Sequence, residues 1–211
     1  GIRDVERSRG LGDVYKRQDL VCWGAIGART AESQVHRELT SGLSCPMGIK
    51  NSTKGDIQIA IDAIKSAQYQ HVFLGTTKKG KVAIFKTSGN DDTHIILRGG
   101  LEPNYHASDI ENCRADLEKN EVNANIMVDF SHGNSQKNHE NQKKVSASIC
   151  DQIASGNKDI IGVMIESHLK EGNQKISENM EYGKSITDAC VDWEETKKLL
   201  NDLAQAVKAR R

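Results

Sequence analysis

The sequence is poor in several features that would place it in a specialised class of protein. It has only two prolines and 4% aromatic residues, and no apolar run comes near the roughly 20 residues that a membrane span requires. Basic and acidic residues balance at 29 each, so the chain lacks the net positive charge that nucleic-acid and anionic-membrane binders carry. We therefore expect neither a nucleic acid nor a membrane as a partner, and any anion must be bound by a local group of residues.

The cysteines also form no recognisable pattern. There are five, an odd number at irregular spacing without a Cys-x-x-Cys pair, which argues against a disulfide framework and against a zinc knuckle. Residues 1–18 contain neither the apolar core of a secretory signal nor a convincing transit peptide. We expect a soluble protein of the cytoplasm. The cysteines are Cys22, Cys45, Cys113, Cys150 and Cys190.

Short apolar runs alternate with segments of helical periodicity, which predicts an α/β fold with a parallel sheet. One pair of strands departs from the alternation, because residues 71–75 and 82–85 are joined by a short Gly-containing turn typical of a β-hairpin. The predicted strands are 20–26, 46–50, 71–75, 82–85, 94–97, 126–130 and 160–165, and the predicted helices are 31–41, 53–67, 107–120, 137–155 and 193–209.

Three of these strands deliver a cation at or just beyond the carboxyl end, namely Arg29, Lys50 and Arg98. Ligands of parallel α/β folds bind at this edge of the sheet, so the three cations predict a site for a substrate that carries phosphate and carboxylate. A surface salt bridge explains any one of them alone, but the recurrence at three strand ends favours a common anion site.

A second set of polar residues follows later strands: His132, Glu166 and Asp188. One imidazole and two carboxylates suit a divalent cation such as manganese, iron or zinc. The spacing alone does not specify metal ligands, since one neighbouring carboxylate could hold His132, a lysine could pair with Glu166, and two further histidines could compete as ligands. These residues are Asp129, Lys184, His168 and His94.

Several longer motifs resemble one enzyme family, the class I 3-deoxy-D-arabino-heptulosonate 7-phosphate (DAHP) synthases, from about residue 19 to residue 211. The resemblance implies a (β/α)8 TIM barrel that condenses phosphoenolpyruvate with erythrose 4-phosphate and water, releasing phosphate, in the first step of aromatic amino acid biosynthesis by the shikimate pathway. The motifs are Trp-Gly-Ala-Ile-Gly-Ala-Arg-Thr at 23–30, Ile-Ile-Leu-Arg-Gly-Gly at 95–100, Asp-Phe-Ser-His-Gly-Asn-Ser at 129–135, Glu-Ser-His-Leu at 166–169 and Tyr-Gly-Lys-Ser-Ile-Thr-Asp at 182–188.

The resemblance also implies roles for individual residues. Arg29, Lys50 and Arg98 correspond to catalytic cations that hold the phosphate and carboxylate of phosphoenolpyruvate, and Ala28 corresponds to a residue that adds its backbone N–H. His132, Glu166 and Asp188 correspond to three of four ligands of a divalent metal (manganese, iron, cobalt or zinc), and Asp188 also to a substrate-binding position. As a Lewis acid, that metal would polarise the aldehyde of the sugar phosphate.

Parts of the family pattern are not found in this sequence. The family's fourth metal ligand, a cysteine after the first barrel strand, and a Lys-Pro-Arg-Thr motif after the second strand have no counterpart here. We expect residues 19–211 to form the carboxyl-terminal part of the barrel, about its last five strand–helix units, and we interpret residues 1–18 as a non-family segment that arose as a cloning or assembly artefact. We therefore expect the chain to be inactive by itself, and the alternative function is a non-catalytic phosphate-binding remnant.

The hairpin resembles the family's feedback site for an aromatic amino acid, although a plain covering ribbon accounts for it equally. Gly75 occupies a position where tyrosine-sensitive relatives tend to have glycine, which favours tyrosine as the effector. The resemblance further implies that the full-length protein is a homo-oligomer whose partner subunit contributes to this site. The regulatory candidates are Leu43, Ser44, Phe73, Gly75 and Phe85.

Overall fold

A parallel β-sheet of five strands organises the chain in a computed structural model that describes residues 21–77 and 79–211. Each strand pairs in parallel with the strand that follows it in the sheet. The sheet order follows the chain order, apart from the inserted hairpin. In sheet order the strands are β1 (Gly24–Ile26), β2 (Met47–Lys50), β5 (Thr93–Leu97), β6 (Ile126–Asp129) and β7 (Ile160–Met164).

The helices alternate with these strands, which confirms the predicted α/β architecture. The helix at Gln58–Gln68 shows why such segments fold against the sheet. Its apolar residues recur every three or four positions, so Ala60, Ile61, Ala63, Ile64 and Ala67 form one fully buried face. None of the helices in the described ranges combines the length and apolar character that a membrane span requires. The helices are α1 (Gln34–Ser41), α2 (Gln58–Gln68), α3 (Ala107–Lys119), α4 (Gln142–Ala154) and α5 (Trp193–Arg210).

Some predicted boundaries were wrong for identifiable local reasons. The helix predicted from residue 53 begins at Gln58, because Ser52 Oγ accepts the N–H of Asp56 in a tight turn that contains Gly55 at a φ of 100°. The helix predicted over 137–155 begins at residue 142, after a short 3-10 helix at His139–Asn141. Lys137 has a φ of 59°, and this left-handed conformation cannot belong to an α-helix.

The hairpin prediction is confirmed. Strands β3 (Val72–Thr76) and β4 (Val82–Lys86) pair antiparallel in a separate two-stranded sheet, whose turn includes residue 78 outside the described ranges. Strict alternation gives the ribbon two faces, because successive side chains point to opposite sides. Phe73 and Phe85 stack on the half-buried face with ring centroids 5.9 Å apart.

Residues 166–192 contain two short strands that the sequence analysis did not predict, β8 (Lys170–Asn173) and β9 (Lys184–Ser185). Their polar sequence has no apolar alternation, so periodicity could not reveal them. Gln174 links distant parts of this segment, since its Nε2 donates to the carbonyls of Glu181 and Lys184 at 2.7 and 3.0 Å. The segment consequently turns back toward the end of β7 and carries Asp188 with it.

Candidate metal and anion site

Polar side chains from separate strands meet at the carboxyl edge of the sheet. Lys50 is the last residue of β2 and Asp129 the last residue of β6, and Lys50 Nζ lies 2.8 Å from Asp129 Oδ2. Arg98 follows β5, which lies between those two strands. The strand topology therefore places these three charged residues at one location, although their sequence positions are far apart.

His132, Glu166 and Asp188 also converge there, with ligand-type atoms within 4.8 Å of one another. His132 Nε2 lies 3.8 Å from Glu166 Oε1 and 3.7 Å from Asp188 Oδ2. Donor atoms bound at about 2.1 Å to one tetrahedral ion lie about 3.4 Å apart, so a small inward movement would bring all three onto a divalent cation. The donor set therefore fits a metal of the kind that the sequence predicted.

The electrostatics of Glu166 point in the same direction. Burial raises the pKa of this carboxyl group above its ordinary value, and the nearby charges of Asp129 and Asp188 add to that effect against the lowering influence of His132 and Lys50. Crowding of carboxylates in a partly buried place is unfavourable unless a positive charge accompanies them. A divalent cation would supply this charge.

Asp129 lies beneath this group with no exposed side-chain surface. Its Oδ2 is 2.8 Å from His132 Nδ1 as well as 2.8 Å from Lys50 Nζ, and its Oδ1 accepts the N–H of Ser131 at 2.9 Å. Burial alone would raise the pKa of Asp129, but His132 and Lys50 outweigh it and hold that pKa below its ordinary value.

Two cations remain available to an anion. Arg29 is exposed after β1, whereas Arg98 is 9% exposed, and neither forms an ion pair within residues 21–77 and 79–211. Burial lowers the pKa of Arg98, and the positive charge of Arg29 adds to this effect while Asp129 and Asp188 oppose it. A salt bridge thus accounts for Lys50 but not for the arginines.

A network of asparagine side chains fixes the backbone around Arg98. The N–H of Arg98 donates to Asn51 Oδ1 at 2.8 Å, and Asn51 Nδ2 donates to the carbonyl of Gly99 at 2.9 Å. Asn104 Oδ1 accepts the N–H of Gly99 at 2.7 Å, while Asn134 Nδ2 donates to the carbonyl at the end of β5, also at hydrogen-bond distance. These residues could not be predicted from the sequence, since single asparagines in loops carry no distinguishing pattern.

The contacts decide among the alternative partners of the metal-type residues. Asp129 does hold His132, but at Nδ1, which leaves Nε2 facing the two carboxylates. The other three alternative partners, which are Lys184, His168 and His94, contact other residues. Lys184 pairs with Glu181, His168 Nδ1 accepts the N–H of Leu169, and His94 Nε2 accepts the indole N–H of Trp23.

The regulatory candidates lie apart from this group, in and beside the hairpin. Leu43 is buried and Ser44 exposed, just after α1, and the end of α1 meets the base of the hairpin where Ser41 Oγ lies 2.8 Å from Thr87 Oγ1. A Cβ added at Gly75 would stand 2.9 Å from the ring of Phe85. The ring therefore occupies the space beside this glycine.

Comparison with known proteins agrees with the motifs. The sequence profile of the DAHP synthetase I family matches residues 12–201, which begins within the segment that we interpreted as lying outside the family. The Phe-sensitive phospho-2-dehydro-3-deoxyheptonate aldolase of Escherichia coli K12 is 60% identical over 195 residues, which are 92% of this chain and 56% of that protein. The tyrosine-inhibited aldolase of Schizosaccharomyces pombe is 56% identical over 92% of this chain and 54% of its own length.

A solved structure extends the agreement to three dimensions. The phospho-2-dehydro-3-deoxyheptonate aldolase of Francisella tularensis SCHU S4 superimposes with a TM-score of 0.89 at 56% identity, over 92% of this chain and 57% of that one. The chain thus spans little more than half the length of these relatives. On the profile match and these identities, the chain belongs to the DAHP synthetase I family.

Proposed function

We propose that this site serves the condensation of phosphoenolpyruvate with erythrose 4-phosphate and water to give DAHP and phosphate. The observation that carries the proposal is the convergence of His132, Glu166 and Asp188 beside the Lys50–Asp129 pair. A metal-type donor set next to a group of cations suits a reaction between two phosphorylated substrates. The matched part of this chain covers 56% and 54% of the two relatives that are named as aldolases.

The cations would bind phosphoenolpyruvate. Arg98 and Arg29 have no ion-pair partner among the described residues, so their guanidinium groups are free to form bidentate contacts with phosphate or carboxylate. Lys50 adds a point charge from the neighbouring strand. The N–H of Ala28 donates to no group in the described part of the chain, which leaves it available to the same anion.

His132, Glu166 and Asp188 would hold the divalent metal, which we propose to be manganese, iron, cobalt or zinc. When bound, it supplies Lewis acidity toward the aldehyde oxygen of the sugar phosphate. Asp129 orients the imidazole of His132 through Nδ1, and the side-chain amide of Gln142 fixes the backbone of Glu166. Asp188, whose side chain is 60% exposed, can also contact the substrate.

We also propose that residues 19–211 form the carboxyl-terminal five units of a TIM barrel. Five parallel strands adjacent in chain order, each followed by a helix, match consecutive units of such a barrel. The antiparallel hairpin is then an insertion between the second and third of these units. The interpretation of residues 1–18 stays a prediction, because they lie outside the described ranges.

Two measurements on the 211-residue chain test the function. In calorimetry we expect phosphoenolpyruvate to bind more tightly when Mn²⁺ is present, whereas a phosphate-binding remnant would bind it equally with and without the metal. In a spectroscopic assay we expect no consumption of phosphoenolpyruvate that depends on erythrose 4-phosphate. Absence of binding would contradict the site assignment, and measurable turnover would contradict the expected inactivity.

We further propose an aromatic amino acid effector, with tyrosine favoured, that binds beside the hairpin. The stacked pair of Phe73 and Phe85 offers an aromatic surface, and Leu43 and Ser44 lie in the segment next to its base. Calorimetry with tyrosine and phenylalanine tests this, and equal or stronger binding of phenylalanine would contradict the preference. A homo-oligomeric full-length protein and a cytoplasmic location stay predictions.

A further inference from the structure

Asp129 contacts both halves of the proposed site through one oxygen atom. Oδ2 lies 2.8 Å from Lys50 Nζ and 2.8 Å from His132 Nδ1, while Oδ1 is occupied by the N–H of Ser131 at 2.9 Å. The side chain is fully buried, whereas those of Lys50 and His132 are 12% and 20% exposed. Water therefore cannot replace either contact, and the single negative charge is divided between two cationic or polarisable partners.

The two partners face different ligands. Lys50 ends β2, next to β5 whose end Arg98 follows, and His132 directs Nε2 toward Glu166 and Asp188. In a buried place the attraction of one partner for a shared carboxylate is not screened by solvent. A change in what His132 Nε2 binds is therefore felt at Lys50, and a change in what Lys50 binds is felt at His132.

We propose that Asp129 is a positioning residue that couples metal binding to anion binding. A cation on Nε2 withdraws electron density from the imidazole and draws Oδ2 toward Nδ1, so Lys50 is held less firmly and its ammonium group is freer to donate to an anion. Because coupling between two bound ligands is reciprocal, an anion on Lys50 strengthens metal binding to the same extent. This inference rests on the proposed function, since it assumes both ligands.

The experiment compares the full chain with Asp129→Asn, which keeps the size of the side chain and removes its charge. The Mn²⁺ affinity is measured from the electron paramagnetic resonance signal of free Mn²⁺, with and without inorganic phosphate, and corrected with a protein-free titration. In the unmodified chain we expect phosphate to strengthen Mn²⁺ binding. In Asp129→Asn we expect Mn²⁺ binding to weaken about tenfold or more, as for other carboxylates that support a ligating histidine, and the phosphate effect to shrink.

The matched control is Asp159→Asn. Asp159 is a carboxylate ion-paired with Arg114 away from this site, so its replacement changes the net charge equally and should leave both quantities unchanged. The absorption spectrum of bound Co²⁺ gives a second readout that a general loss of stability would not alter. We expect its visible bands to shift in Asp129→Asn, because the orientation of His132 changes.

The outcomes separate the inference from the function beneath it. If the unmodified chain binds neither Mn²⁺ nor phosphate, both are wrong. If it binds both, and Asp129→Asn retains the Mn²⁺ affinity, the phosphate effect or the Co²⁺ bands of the unmodified chain, only the coupling is wrong. If Asp129→Asn does not fold, Lys50→Met takes its place, and an undiminished effect of phosphate on Mn²⁺ binding there overturns the inference.

Discussion

The side-chain amide of Gln142 makes two hydrogen bonds to the backbone of Glu166, 24 residues further along the chain. Its Nε2 donates to the carbonyl of Glu166 at 3.0 Å, and its Oε1 accepts the N–H of Glu166 at 3.0 Å. Gln142 is fully buried at the start of α4, and Glu166 follows the end of β7. One glutamine thus sets the position of a proposed metal ligand without touching its carboxylate.

Replacing Gln142 should lower both the free energy of unfolding and the affinity for the metal. Gln142→Ala leaves the N–H of Glu166 without a partner, whereas the carbonyl of Glu166 still accepts the N–H of Val191 at 3.0 Å. A buried group left unpaired costs about 1–3 kcal/mol. Urea denaturation measures the loss in the free energy of unfolding, and a Mn²⁺ titration measures the loss in affinity. The control is Gln58→Ala, which removes an exposed amide bonded to the side chains of Asp62 and Asn120 and should leave both quantities nearly unchanged. An unaltered unfolding free energy in Gln142→Ala would show that the two bonds are unimportant.

Anion binding should depend on the bidentate donor geometry of the Arg98 guanidinium group as well as on its charge. Arg98→Met should weaken phosphoenolpyruvate binding by about 10- to 100-fold, the equivalent of one charge-assisted hydrogen bond of about 1.5–3 kcal/mol. Arg98→Lys should recover only part of this loss, because an ammonium group makes no bidentate contact. Calorimetry measures the affinities. Arg37→Met is the control, because Arg37, which lies in α1, donates to the carbonyl of Ala31 just before that helix. Full recovery by lysine would contradict the bidentate role.

Acid should destabilise the fold through His94. Burial lowers the pKa of this imidazole below 6.5, and its Nε2 accepts the indole N–H of Trp23 at 3.1 Å, so the native state favours the neutral ring. The unfolded chain takes up the proton first as the pH falls below about 6.5, so stability declines from there toward the native pKa, by at most about 1.4 kcal/mol per pH unit.

Urea denaturation between pH 5 and 7 tests this dependence. His94→Gln should show a shallower decline of the unfolding free energy with acid than the unmodified chain. His168→Gln changes an exposed histidine and should retain the full decline. Equal slopes in His94→Gln and the unmodified chain would exclude His94 as the source.

The hairpin should tolerate no side chain at Gly75 without movement of Phe85. Gly75→Ala places a Cβ 2.9 Å from that ring, so the stacked pair must shift, at a cost of about 1–3 kcal/mol. Thermal unfolding measures this cost. Gly27→Ala is the control, because its added Cβ meets only Thr30 Oγ1, at 3.8 Å. Unchanged stability in Gly75→Ala would mean that the ring moves without cost.

Sequence periodicity was sufficient for the main architecture. Buried strands and amphipathic helices depend on local apolar spacing, so the five parallel strands, the five helices and the hairpin were all predicted, although two helices start five residues later than predicted. Predicted helix boundaries were wrong where the backbone conformation interrupts the periodic pattern, as at Lys137 with its left-handed φ. The strands β8 and β9 could not be predicted, because their polar residues pair only in the folded segment, where Gln174 bonds to the carbonyls of Glu181 and Lys184.

The residue types and strand-end positions in the sequence identified Arg29, Lys50, Arg98, His132, Glu166 and Asp188 as candidates. Tertiary structure alone decided which nitrogen of His132 faces the carboxylates, that Asp129 serves Lys50 and His132 with the same oxygen, and that Gln142 supports Glu166. The physical reason is that hydrogen bonds and buried ion pairs act over about 3–4 Å, a distance that only the packed sheet creates between residues far apart in the chain.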